Sequence, residues 1–238
     1  MQSKHGQAGF TLVEIAIVLV IIGLLLGGIL KGQEMITQAR IKNVVNDFNG
    51  ITAAYFAYQD RYRAVPGDDL QAAPRWTAAA FPPAGAMNGT GDGVISGVYQ
   101  AQVADLVATP PSSTAGESSN FWWHLRLAGF VSGATGGPAA WSQPVNAVGG
   151  LVGVQNGSPG ASASAPGLSG LVLCSANVPD KIASAVDTAV DDQRLGTGQM
   201  FGYKQGTTPN PDITGTPIYA TGNYEETGSN QYVICKKI

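Results

Sequence analysis

The sequence predicts an α+β fold. A long N-terminal helix, membrane-spanning in its first half, packs by its second half against an antiparallel β-sheet head with extra short helices. Three observations carry this. Phe10 to Leu30 is an apolar run of 21 residues holding one charge, Glu14, and one hydroxyl, Thr11. Beyond it Ile41, Val44, Val45, Phe48, Ile51, Tyr55, Tyr58 and Tyr62 recur at spacings of three and four, which is helical. Short β-prone pieces separated by Gly and Pro then fill much of the C-terminal half.

The apolar run comes first. At 1.5 Å per residue it covers about 32 Å, enough for a bilayer core of about 30 Å. It exceeds a signal-peptide core of roughly 7–15 residues, and no small-x-small cleavage site follows it. Lys31, Gly32, Gln33 and Glu34 follow instead, and the helical pattern continues, so any cleavage falls before the run. Pro66, in Val65-Pro66-Gly67-Asp68, is the stop signal. A single helix over residues 10–63 would be roughly 80 Å long. Its residues 10–30 cross the membrane, and residues 64–238 form the head.

Composition narrows the class. The 238 residues carry a net charge of −3, with 12% charged positions and 32 glycines. Low charge excludes a charge-driven disordered tail, a coiled coil and a basic nucleic-acid binder. Two cysteines exclude a disulfide-dense mini-scaffold and an all-cysteine zinc site. The chain has no Gly-x-Ser-x-Gly elbow, histidine cluster or phosphate loop, so an enzyme is not expected.

Glu14 needs a partner. A carboxylate in a lipid span is costly, less so in the first turns of a helix, where the dipole favours an anion. No cation in its own chain lies within a turn or two, except an ammonium created by cutting after Gly9. The run Gly9-Phe10-Thr11-Leu12-Val13-Glu14-Ile15, followed by an apolar helix, resembles the type IV pilin and pseudopilin class of prepilins over about the first 60 residues. The resemblance implies a leader of residues 1–9, cleavage between Gly9 and Phe10 by a membrane prepilin peptidase, and N-methylation of Phe10. It implies that Glu14 meets the N-terminal amine of a neighbouring subunit during filament assembly. It also implies an inner-membrane, single-pass subunit with a cytoplasmic N-terminus and a periplasmic head, handled by an assembly platform and ending in a periplasmic or extracellular filament. One departure stands out: many members carry a proline near the end of the run, and this chain has Lys31. Gly23, Gly27 and Gly28 either soften the helix or serve close helix packing.

The head offers several candidate features. Asn88, Thr90 and Asp92 place oxygen side chains at alternate positions before Gly93, and Val94 offers a carbonyl, which is half of a calcium loop. Tyr99 stands where such a loop wants a bidentate Glu, so calcium would have to borrow Asp68, Asp69 or Glu117. The alternative is a Gly-rich turn with Asx hydrogen bonds, and no cofactor is required. Phe121 to Phe130 reads as a helix with Phe121, Trp122 and Leu125 on one face, and His124 reads as a helix-surface or core histidine. Together with Tyr62, Val65 to Asp69 and Gly91 to Gly93, this stretch resembles a recurrent group of proteobacterial prepilins with large heads, which implies a shared fold.

From Leu127 to Pro179 no residue is charged. This stretch reads as a β-meander, with strand-prone pieces at 145–148, 151–154 and 168–173 and a flexible Gly/Ala/Ser loop around 155–167. That loop is either bare or carries O-linked sugar on Ser162 or Ser164. Residues 179–192 form an amphipathic helix with Asp180, Asp187 and Asp191 opposite its apolar face, either solvated or offered to a cation or a basic patch. Export favours a disulfide between Cys174 and Cys235, closing a loop of roughly 60 residues, worth about 4 kcal/mol in the chain-entropy model; two buried thiols are the alternative. The expected function is a structural filament subunit. Its runners-up are a minor or tip pilin with an adhesive or substrate-binding head, for which Trp76, Trp122, Trp123 and Trp141 supply aromatic surface, and a type II secretion pseudopilin.

Overall fold

The computed structural model describes residues 11–77, 88–100, 116–157, 167–213 and 222–238. Chain contacts divide the protein into two compact units, Met1–Ala39 and Arg40–Ile238. Helix α1 (Leu12–Tyr62) runs unbroken for 51 residues. It ends where Arg63 turns to φ 55°, a left-handed conformation that closes helices, and Pro66 prevents resumption. The helix therefore has the extent that the apolar run and the three-four spacing predict.

Within the larger unit, α1 buries Val44, Phe48, Ile51, Ala54 and Tyr58, one stripe at steps of three and four. Ile41, Val45, Tyr55 and Tyr62 flank it, partly buried on the same core. The stripe meets α3 (Glu117–Leu127), a helix buried from Glu117 through Arg126. Tyr55 stacks on Phe121 at 6.4 Å, and Tyr58 lies parallel to His124 at 6.3 Å. His124 is a core histidine: its Nδ1 accepts the Gly67 N–H at 2.9 Å. Gly67 has φ 91°, and a Cβ there would crowd the α3 backbone, so this turn demands glycine. Helix α2 (Ala72–Arg75), a single turn, was not expected from the Pro- and Gly-rich stretch that holds it.

The sheet contains β1 (Val152–Gly157), β2 (Gly170–Pro179), β3 (Met200–Gln205) and β4 (Gln231–Lys237), in the order β1-β2-β4-β3 and antiparallel throughout. Helix α4 (Asp180–Val190) connects β2 to β3. Period-two alternation sends Leu173, Val178, Met200, Tyr232 and Ile234 into the helix-facing core. Val172, Cys174, Ala176, Phe201, Val233 and Cys235 take the other face, with Tyr99, Leu168 and Ile213. Both faces are covered, which explains why β2 and β4 read as nearly continuous apolar runs. Cys174 and Cys235 are register partners on β2 and β4 and form the disulfide.

Two expectations need correction. The meander over 127–179 reduces to β1, β2 and an isolated Val145–Leu151 bridge. Gly129, Gly133 and Gly137, all at positive φ, turn the chain instead. Here Arg126 of α3 organises the loop. Its buried guanidinium donates to the carbonyls of Ala139, Ala140 (2.7 Å) and Ser142 (2.8 Å). The second correction concerns 155–157, read as loop but continuing β1. The buried Gln155 takes the Tyr99 N–H on Oε1 at 3.0 Å, and Gly157 lets the Leu168 carbonyl approach. Ser162 and Ser164 lie outside the described residues.

Phe48 is 1% exposed at the centre of the α1 stripe. Phe48→Ala is expected to lower the stability of the head by about 3–5 kcal/mol, read as a drop of many degrees in melting temperature by circular dichroism.

Candidate functional site

The N-terminal site is built from helix-terminus chemistry. The first N–H groups of α1 have no partner within the helix. Glu14 supplies one: its Oε2 accepts the Thr11 N–H at 2.9 Å and the Thr11 hydroxyl at 2.8 Å. The Thr11 Oγ1 in turn accepts the Glu14 N–H at 3.3 Å. This is a reciprocal capping box. The Thr-x-x-Glu signal before an apolar run was present in the sequence but not read as a cap. Glu14 thus has a partner inside its own chain. Gly9, Phe10 and the leader 1–9 lie outside the described residues.

After Glu14 the helix exposes its apolar side chains all round, Leu19, Leu24, Leu25 and Leu30 among them. Its most apolar 18-residue window has a mean hydropathy of 2.8 and buries nothing within the protein. Each such side chain gains about 1.5–3 kcal/mol on leaving water, so this surface requires lipid or other helices around it. Gly23, Gly27, Gly28 and Gly32 sit in unbroken helix with open space where a Cβ would stand. Another backbone has room to approach there.

Residues 4–30 match the prokaryotic N-terminal methylation motif. The chain carries the type IV pilin/pseudopilin signature. No curated protein matches it as a relative. The signature implies processing by prepilin peptidase and pilus-type assembly with other pilins, and with the apolar helix it fits a membrane-anchored pilin before assembly.

The signature stops short of the head, whose second candidate site is the Asn88–Val94 loop. The structure brings Asp68 and Glu117 to it, as hydrogen-bond acceptors. Asp68 takes the N–H groups of Gly91 and Gly93 (2.7 Å for the latter), and its Oδ1 lies 3.1 Å from the Thr90 hydroxyl oxygen. Glu117, fully buried, takes the Thr90 N–H and the Ser96 N–H, both at 2.8 Å, and the Thr90 hydroxyl at 2.9 Å. Asn88 Oδ1 accepts the Ala73 N–H at 2.8 Å. Asp92 Oδ1 accepts the N–H of Val94 two residues on, an Asx turn. The proposed ligand oxygens of Asn88, Thr90 and Asp92 therefore all have hydrogen-bond roles in closing the loop.

Asp69 works on the other side of the same turn. It accepts the Tyr58 hydroxyl at 2.7 Å and the Gln71 N–H at 2.8 Å, and it pairs with Arg75. Burial pushes its carboxyl up, but the bonds from Arg75, Tyr58 and Gln71 outweigh that and hold it below the usual aspartate range. Arg75 also lies 4.3 Å over the Tyr62 ring. Beside these groups opens a cleft of about 400 Å³, lined by Tyr62, Arg63, Asp68, Leu70, Arg75 and Gly91 among others.

Glu117→Ala leaves two backbone donors without their buried acceptor and is expected to cost about 3 kcal/mol or more, seen in chemical denaturation. The Asp69 carboxyl is lowered on folding, so its contribution is complete above the unfolded pKa of about 3.9 and is lost as pH falls through the folded value. Asp69→Asn should therefore separate most from the native protein near neutrality and converge with it in strong acid, measured as melting temperature against pH.

Proposed function

We propose that this protein is a structural subunit, pilin or pseudopilin, of a type IV pilus-like filament. It is cut after Gly9 by prepilin peptidase, methylated on Phe10 and held in the inner membrane by α1 until assembly. Copies of itself and related pilins are its partners there. The observation that carries this reading is Glu14, a carboxylate in an otherwise apolar span, inside the residues that match the N-terminal methylation motif. A carboxylate in a helix-packed, low-dielectric fibre is heavily penalised when unpaired, and an ammonium opposite it fixes axial register. The methylated amine of Phe10 remains cationic and is suited to that role. The capping box supplies the free subunit's version of the pairing, with Thr11 holding Glu14 until the amine of a neighbour replaces it.

The head, in this reading, needs no cofactor and catalyses no reaction. Its 88–94 loop is closed by Asp68 and Glu117. A second reading, a minor or tip subunit with a binding head, draws on the cleft beside Tyr62 and Arg75.

Glu14→Val is expected to leave processing and membrane insertion intact while removing the chain from sheared fibres. Mass spectrometry should find a mature chain starting at N-methylated Phe10. Normal fibre yield in the variant would reject the pairing, and any other mature N-terminus would reject the processing. Calcium and chelator should leave the melting temperature of the Glu14 form unchanged within about a degree; a rise of several degrees in calcium would give the loop a cation.

A further inference from the structure

The sequence places Asp180, Asp187 and Asp191 on the polar face of α4, with solvation as the ordinary outcome. The structure buries the first two. Asp180 lies at the helix N-terminus, where Oδ1 accepts the Lys181 N–H and Oδ2 the Gly228 N–H. Its charge is well placed there. Asp187 is placed at the opposite end. It sits in the last turn of α4, fully buried, with Asp191 and Asp192 immediately beyond. Carboxylate oxygens of the three lie within 4.8 Å of one another. The C-terminal end of a helix carries negative partial charge, so three carboxylates gather where negative charge is least welcome.

Each carboxylate holds a piece of the surrounding chain. Asp187 accepts the Tyr224 hydroxyl at 2.7 Å and the Gln193 N–H at 3.3 Å. Asp191 accepts the Gln199 N–H and the Met200 N–H, the first residue of β3. Asp192 accepts the Arg194 N–H at 3.0 Å and the Thr197 hydroxyl. Gly198, at φ 78°, leaves room for Asp191 where a side chain would collide with it. The cluster thus ties the end of α4 to the 191–199 turn, the start of β3 and the strand-like segment at Tyr224.

The charged and titratable groups bearing on Asp187 are Asp191 and Asp192 from the turn and Tyr224 from the 222–225 segment. Tyr232 of β4 stands behind Tyr224 at 5.0 Å between rings, and Arg194 acts on Asp192. No ion pair among the described residues includes Asp187.

We propose that Asp187, Asp191 and Asp192 form a proton-operated latch, which clamps the 191–199 turn and Tyr224 onto α4 in mildly acidic medium and slackens as the medium becomes neutral. The proton resides on Asp187, the buried member of the cluster. Burial pushes the Asp187 carboxyl up to about 6, the bonds from Tyr224 and Gln193 oppose this, and the charges of Asp192 and Asp191 add to it. An unfolded aspartate titrates near 3.9. The folded head therefore holds an extra proton between roughly pH 4 and 6, and its stability falls as pH rises through that window and levels off above it.

The test uses the full chain in detergent with EDTA, following melting temperature from pH 4.5 to 7.5 and hydrogen exchange over residues 191–200. The wild type should lose several degrees across that range, and exchange, corrected for its intrinsic pH dependence, should quicken about tenfold or more, since one pKa unit is a factor of ten. Asp187→Asn imitates the protonated form; it should match the wild type at the acid end and exceed it at pH 7.5. Asp192→Asn, on an exposed neighbour, should move the midpoint to lower pH, and it decides the matter if the Asp187 variant does not fold. Parallel pH profiles for wild type and Asp187→Asn, or an unmoved midpoint in Asp192→Asn, would overturn the latch. So would tightening at pH 7.5 by calcium chloride that EDTA reverses, because a metal ion rather than a proton would then hold the cluster.

Discussion

Glu14 and the helix around it impose conditions that the remainder of the chain has to meet. An α-helix satisfies its backbone internally, so a lipid span can be long and uniform, but a side-chain charge within it must find a partner. Here the carboxylate closes on Thr11 and on the unsatisfied N–H groups of its own helix start. That contact belongs to a single chain, while the apolar surface following it demands an environment that the chain does not provide for itself. The same helix continues to Tyr62 and changes character along its length, from apolar all round as far as Leu30 to striped from about Ile41 onward. One half is adapted to lipid or to other helices and the other to a folded head. No loop is needed between them, because the helix period is common to both.

Buried carboxylates do in the head what larger hydrophobic packing does elsewhere. Asp68, Glu117, Asp180 and Asp187 each collect N–H or O–H donors from segments distant in sequence. The reason lies in composition. With 32 glycines and long uncharged stretches, the loops contribute few apolar side chains to the core but many backbone donors. A carboxylate offers several acceptor sites to such donors, and charge-assisted bonds are about twice as strong as neutral ones. Acids thus act as tie points for chain that cannot anchor itself by packing. Arg126 is the cationic counterpart, gathering carbonyls.

This also accounts for what was legible in advance. Periodicity exposed α1, the core stripe Val44, Phe48, Ile51 and Tyr58, and α4, because each repeats within a few residues. The start of β2 was legible as the strand-prone piece at 168–173, directly before Cys174. The roles of Asp187 and Glu117 did not. A carboxylate opposite an apolar helix face looks solvated, and only tertiary contacts such as Tyr224 to Asp187, 37 positions apart in sequence, reveal it as buried. Gln155 to Gly157 misled for a related reason: their composition favours a turn, yet Tyr99 and Leu168 supply the contacts that make them strand. The Thr11–Glu14 cap was legible and went unread, since Glu14 drew notice as a charge in lipid rather than as the third residue of a helix.

Glu14 and Asp187 pose the same electrostatic problem at opposite ends of their helices. At the start of α1 the helix dipole and free N–H groups favour the anion, so Glu14 needs only Thr11 to be accommodated. At the end of α4 the dipole opposes it, the neighbours are acidic, and one phenol with one N–H is an incomplete answer. A proton is the smallest group that completes it. The two sites therefore differ in what they ask of their surroundings: Glu14 finds its donors at the start of its own helix, whereas Asp187, at the acidic end of its helix, responds to the medium.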